Sequence, residues 1–150
     1  LIVTPGTRSI APSAVIELPQ LTSARLETLL NGNGQRASGW LAAYDQYRKQ
    51  SSSWDEAEIK QAVAAWNSEI EALLPQLYDL LMGPLADWLS REAPNVQDVH
   101  LMVPGLMSML PLHAARAAQD DAPYFAERWA VSYLPSPRAL MQGRAARDNG

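Results

Sequence analysis

Ile59, Val63, Trp66, Ile70, Leu73, Leu77 and Leu80 recur every three or four residues. That period places all seven on one side of an α-helix. A helix with such a stripe must bury it, so the chain needs a second packed layer. Ser53 with Glu56 fits the capping box S-x-x-E at the start of this helix. Asp55 and Glu56 suit the positive end of its dipole. Pro75 lies within the stripe, where it removes one helix hydrogen bond and crowds the preceding turn, so a kink or restart is expected there. Gly83-Pro84 is expected as a firmer break, with Pro84 opening a short helix that carries Leu85, Trp88 and Leu89. Ala93-Pro94-Asn95 closes the helical part.

Two strand-length runs precede the helices: Leu1–Thr4, closed by Pro5-Gly6, and Ala14–Leu18, closed by Pro19. Thr22 or Ser23 suits the cap of a helix carrying Leu26, Leu29 and Leu30, and Asn31-Gly32-Asn33-Gly34 ends it. Another helix is expected from Trp40 to Arg48, with Trp40, Leu41, Tyr44 and Tyr47 on one side. After the long helix come Val99–Val103, closed by Pro104-Gly105, and Leu106–Leu110, closed by Pro111. These two runs suggest a hairpin or strand reversal. The unbroken apolar character of Val99–Val103 suggests a strand covered on both faces. Ala114 to Asp121 reads as a loop or short helix. Trp129–Leu134 reads as a further strand, and Pro135-Ser136-Pro137 turns into a helix carrying Leu140 and Met141. Strands, then helices, then strands mixed with short helices make an α/β or α+β layered fold. The start reads as a strand already under way and the end as a connector, so an excerpt of a longer domain is expected.

The chain has 150 residues, 47% of them apolar and 19% charged, as in a folded domain. It has no cysteine, which removes disulfides, thiolate metal sites and a cysteine nucleophile from these residues. The net charge of −4 offers no general attraction to nucleic acid or an anionic membrane, and no apolar run reaches a membrane span. Cytoplasmic placement is the expectation from the missing cysteines and signal segment.

Each chemical candidate has a plain structural reading. Gly32-x-Gly34-x-x-Ala37 has the letters of a dinucleotide fingerprint but follows a helix instead of opening one, so a helix cap is expected. His113, in Leu110-Pro111-Leu112-His113-Ala114-Ala115, has the chemistry of a general base. It lacks a G-x-S-x-G elbow, and Asp120 and Asp121 sit in a loop. A weaker thought pairs it with Ser108 or Ser136. His100, among apolar residues, reads as a core or edge histidine. Asp55, Glu56 and Glu58 serve the helix dipole rather than a metal. Arg138, Arg144 and Arg147 are too sparse for nucleic acid. Trp40, Trp54, Trp66, Trp88 and Trp129 read as packing residues. No catalytic residue, cofactor-binding residue or metal ligand is assigned.

The run of motifs from Leu77 to Leu140 carries more than its parts. Leu80-Leu81-Met82-Gly83-Pro84-Leu85 comes first, then Val99-His100-Leu101-Met102-Val103-Pro104-Gly105 and Leu110-Pro111-Leu112-His113-Ala114-Ala115. Tyr124-Phe125-Ala126-Glu127-Arg128-Trp129-Ala130-Val131-Ser132-Tyr133-Leu134-Pro135-Ser136 completes it. This order resembles the front half of the CHAT domain, a caspase-like family often attached to tetratricopeptide repeats. Leu1–Gly6 and Ala14–Leu18 are similar to that family's first strand pair. The resemblance implies a three-layer α/β/α caspase-like fold and a cysteine peptidase with a His–Cys dyad. In the family the histidine stands in a His-Gly pair after a later strand, and the cysteine follows the next strand. This chain has neither, and neither His100 nor His113 falls in the catalytic motif. The resemblance therefore implies the N-terminal portion of one such domain, with the dyad beyond Gly150.

On that reading the partners are the remainder of the parent chain, tetratricopeptide repeats among them, and a protein or peptide substrate of the parent. Half a sheet is expected to leave an open edge and an uncovered apolar face, hence homo-oligomers. The alternative is a degenerate domain acting as a protein–protein interaction module through the Ile59–Leu80 stripe.

Overall fold

The computed structural model describes residues 15–32, 39–52 and 55–135. Helix α1 spans Ser23–Asn31, and Thr22 caps it by accepting from the Arg25 N–H at 3.2 Å. Its Leu29 and Leu30 are buried, as their spacing predicts. Helix α2 spans Trp40–Gln50. Gly39, just before it, is pressed against the end of α1: a Cβ there would stand 2.2 Å from the Gly32 nitrogen. Only glycine lets the two helix ends meet so closely.

Helix α3 spans Glu56–Leu77. Its cap is Asp55, whose Oδ1 accepts from the Ala57 N–H at 2.8 Å, and not the expected Ser53, which lies outside the described residues. Leu73, Leu77 and Leu80 of the stripe are buried, and Ile59, Val63, Trp66 and Ile70 are half-buried. Helix α2 lies along α3, with Trp66 among Trp40, Tyr44 and Tyr47 at ring separations of 5.8, 5.4 and 4.7 Å.

The chain does not restart at Pro75, nor break at Gly83-Pro84. Helical bonding passes Pro75, where the Tyr78 N–H bonds to both the Leu74 and Pro75 carbonyls. The ladder then widens into one π turn, Tyr78–Met82, which runs into α4, Gly83–Glu92. Pro84 supplies the reason. In a regular α-helix its ring would collide with the Leu80 carbonyl, and the extra residue of a π turn moves that carbonyl aside. The turn closes through the Gly83 N–H on the Tyr78 carbonyl, an oxygen that a Cβ on Gly83 would approach to 2.9 Å.

Strands β1, Asp98–Leu101, and β2, Ala130–Tyr133, pair in parallel, with Asp98 opposite Ala130 and Leu101 opposite Tyr133. They are the only two strands among the described residues. A parallel pair requires a long crossover, here residues 102–129. The crossover holds two 3₁₀ turns, Gly105–Met109 and Leu112–Ala114, and helix α5, Phe125–Arg128. Leu106–Leu110 is therefore not a strand, and no hairpin forms across Pro104-Gly105. Gly105 takes φ 56°, and prolines at 104 and 111 supply no ladder donors, so the run curls instead of extending. Val15–Leu18 is likewise not a strand: Pro19-Gln20 turns the chain, with the Leu21 N–H on the Leu18 carbonyl at 3.0 Å. Ala14, Leu1–Thr4 and the expected Leu140–Met141 helix lie outside the described residues. No periodicity in the sequence predicts helix α5.

The sheet is covered on one face. Val99 is buried, and Leu101 and Val131 pack against the core. Asp98, His100, Ala130 and Ser132 occupy the other face and are all exposed. Both expectations, of a strand covered on two faces and of an uncovered apolar face, are corrected here: the open face is polar or small. The described residues form a helix-rich α/β structure with a small parallel sheet. Its core joins α1, α3, the π turn, α4, β1, the crossover and α5 through residues such as Leu30, Leu77, Met82, Leu112 and Phe125. Phe125 is 1% exposed. Phe125→Ala is expected to cost about 3–5 kcal/mol, read from denaturant unfolding. Asp55→Ala is expected to cost about 1 kcal/mol, the loss of one cap.

Candidate functional site

The carboxyl ends of β1 and β2 lie side by side, where open parallel sheets form their ligand crevices. Tyr133 ends β2 there, and its hydroxyl reaches back to the crossover. Tyr133 Oη accepts from the His113 backbone N–H at 3.1 Å and lies 3.1 Å from His113 Nδ1. The two rings meet edge-on at 5.8 Å. One phenol thus ties main chain and side chain of a single turn residue to the strand end. Burial pushes the Tyr133 hydroxyl above its ordinary value of 10.0, while backbone N–H groups of His113 and Leu112 pull the other way.

This arrangement holds His113 but gives it no nucleophile. Ser108 Oγ donates to the Gly105 carbonyl at 2.7 Å within its own turn, and Ser136 lies outside the described residues. His100 stands on the open face opposite Ser132, and Asp98 shares that face. No hydrogen bond among the described residues joins these three. They share a surface without forming a relay.

A second feature is the loop between Ala115 and Tyr124. Arg116 organises it: its guanidinium donates to Glu71 Oε2 at 2.6 Å and to the Asp120 carbonyl at 3.3 Å, and lies over the Tyr124 ring at 5.1 Å. The bond to Glu71 holds Arg116 above its ordinary value. Beside the loop is a cleft of about 560 Å³ bordered by Asp120, Asp121, Arg128 and Trp129. The Arg128 guanidinium lies 4.5 Å over the Trp129 ring. Both signs of charge border this cleft, and His113 is not among its walls.

The remaining candidates fall into place individually. Gly32 ends α1 at φ 79°, while Gly34 and Ala37 lie outside the described residues. Asp55 caps α3, with Glu56 and Glu58 in its first turn. No group of three His, Cys, Asp or Glu able to hold a metal occurs among the described residues. Trp40 and Trp66 pack between α2 and α3, and Trp88 and Trp129 belong to the core. Trp54, Arg138, Arg144 and Arg147 lie outside the described residues. No described helix is long and apolar enough to cross a membrane.

The His113–Tyr133 link joins two motifs that are twenty positions apart, Leu110–Ala115 and Trp129–Ser136. A model of the CHAT domain matches residues 71–150. The chain belongs to the CHAT domain family. The match begins inside α3 and takes in both strands of the sheet and the whole crossover. No curated protein and no solved structure gives a significant match to the chain. Both motifs are legible in the sequence, and their pairing is not. A lone Tyr at a strand end and a lone His after a proline carry no mutual signal until the crossover brings them together.

Tyr133→Phe removes the hydroxyl and is expected to cost about 1 kcal/mol in urea unfolding. The pH dependence has a definite sign. Folding raises this phenol, so its contribution is whole below pH 10 and is lost as pH rises through the raised value. The stability gap between the native chain and Tyr133→Phe should therefore narrow above pH 10.

Proposed function

We propose that this CHAT domain is the non-catalytic N-terminal portion of a caspase-like cysteine peptidase whose His–Cys dyad follows Gly150. The observation that carries the reading is a CHAT match in a chain with no cysteine and no His-Gly pair. In the parent, the cysteine thiolate bonds to the substrate carbonyl carbon. The peptide C–N bond then breaks as histidine passes a proton to the leaving amine, and water splits the thioester. The present residues supply strands, their crossover and helices on one face. The rest of the parent supplies the strands that complete the sheet. Tetratricopeptide repeats in the same chain and a cytoplasmic setting belong to this reading.

Two assays test it. The 150-residue chain should hydrolyse no peptide, and the full polypeptide should cleave peptides in a reaction abolished by iodoacetamide. Hydrolysis by the short chain alone, or a full polypeptide without a His-Gly pair and a later cysteine, overturns the proposal.

The alternative is a degenerate CHAT domain that captures protein partners through the Ile59–Leu80 stripe. Leu73, Leu77 and Leu80 of that stripe are in the core, and Ile59, Val63, Trp66 and Ile70 are half-buried, so the front of the stripe is the part left for a partner. Among the described residues β1 and β2 pair only with each other, and their outer edges make self-association part of the proposal. Sedimentation velocity of the 150-residue chain should show dimers or larger species, and a monodisperse monomer with a sharp two-state melt would argue against edge pairing.

A further inference from the structure

A phenol oxygen carries one proton and two lone pairs. At Tyr133 Oη one lone pair is taken by the His113 backbone N–H at 3.1 Å. The hydroxyl proton needs an acceptor, and His113 Nδ1 lies 3.1 Å away. Nδ1 can accept only while it carries no proton, and in a neutral imidazole the proton then sits on Nε2. The reverse arrangement, with Nδ1–H donating to Oη, would aim two N–H groups of one residue at one oxygen and leave the hydroxyl proton without a protein partner. No other hydrogen bond and no ion pair of His113 occurs among the described residues, so Tyr133 has no competitor for Nδ1. Both ends of the tie are placed by packing and pairing, not by the ring itself. Leu112, just before His113, is 1% exposed, and Tyr133 pairs with Leu101 across the sheet. The imidazole must therefore match a phenol whose position is already set.

We propose that Tyr133 is a positioning residue that fixes His113 as its Nε2–H tautomer, which makes His113 a hydrogen-bond donor at the carboxyl end of the strands and not a base. A base or a metal ligand needs a free lone pair on the ring. Here the phenol proton fills Nδ1, and Nε2 bears the hydrogen. The role is the opposite of the general base that the Leu110–Ala115 context suggests. What the exposed ring offers is one directed N–H, and the chemistry that suits it is an oxygen acceptor, a carbonyl or a carboxylate. The inference concerns only this pair of side chains and stands whether or not the parent is a peptidase.

The test is nitrogen NMR of the full polypeptide labelled at its histidine rings, at about pH 8, where an imidazole of ordinary value is neutral. His113→Gln assigns the signals, since the set that disappears belongs to His113. His100 is the internal control: it is exposed, and no hydrogen bond to its ring occurs among the described residues. His113 should show one tautomer, with a bare Nδ1 and a protonated Nε2, while His100 shows the averaged pattern of an untied ring. Tyr133→Phe keeps the ring and removes the hydroxyl, and should move His113 to the averaged pattern while leaving His100 unchanged. A protonated Nδ1 in the native protein overturns the proposal. So does an averaged pattern there, or a single-tautomer pattern that survives Tyr133→Phe. Should Tyr133→Phe fail to fold, the native spectrum decides alone, because it reads which nitrogen carries the proton. A purely structural tie would be blind to that choice, since Oη can hold the turn through the backbone N–H with either tautomer.

Discussion

The parallel pairing of β1 with β2 depends on what happens between them. Four residues on each strand make too few hydrogen bonds to hold a sheet alone. What holds it is burial of the crossover. Leu110, Leu112, Ala115 and Phe125 enter the same core as Leu77, Leu80 and Met82. Each large apolar side chain buried this way contributes about 1.5–3 kcal/mol. The strands are placed side by side because their connection is packed under them and onto the long helix. Polar ties then fix its path, among them Arg116 on Glu71, Trp40 on the Met109 carbonyl and Tyr133 on His113.

The helical side has its own constraint. Pro84 cannot continue a regular α-helix, and Gly83 has no side chain to obstruct the Tyr78 carbonyl. Together they convert what would be a break into a π turn, and α4 continues from α3 with Leu80 and Met82 still facing the core. Had the chain stopped at Pro75 or Gly83, Trp88 and Leu89 would not reach Val99 in one cluster. Midway along α3, the Trp66 indole N–H is buried with no hydrogen-bond partner among the described residues, so Trp66 is held against Trp40, Tyr44 and Tyr47 by ring contact.

Functionally, the described residues hold two separate arrangements. One is the carboxyl edge of the strands, with His113 tethered and Leu106 and Met109 outward. The other is the cleft bordered by Asp120, Asp121 and Arg128, away from His113. The CHAT match covers both arrangements. The polar face of Asp98, His100, Ala130 and Ser132 makes single-face exposure of a parallel sheet tolerable, because small and polar side chains lose little by meeting water.

Sequence alone determined the helices whose signals are local. The period of Ile59–Leu80, the Thr22 cap and the Leu26–Leu30 face depend on neighbours within a turn or two, and they appear where the spacing puts them. Local too were the apolar runs at Val99 and Trp129, and the motif order that marks the CHAT family. Tertiary structure decided everything that depends on distant partners. Leu106–Leu110 and Val15–Leu18 have strand-like composition, yet a strand exists only where another chain segment accepts its hydrogen bonds, and neither run finds one among the described residues. Pairing of Val99 with Val131 in parallel, the meeting of His113 with Tyr133 and the exposure of His100 all follow from where the crossover is buried, and no short window of residues contains that information.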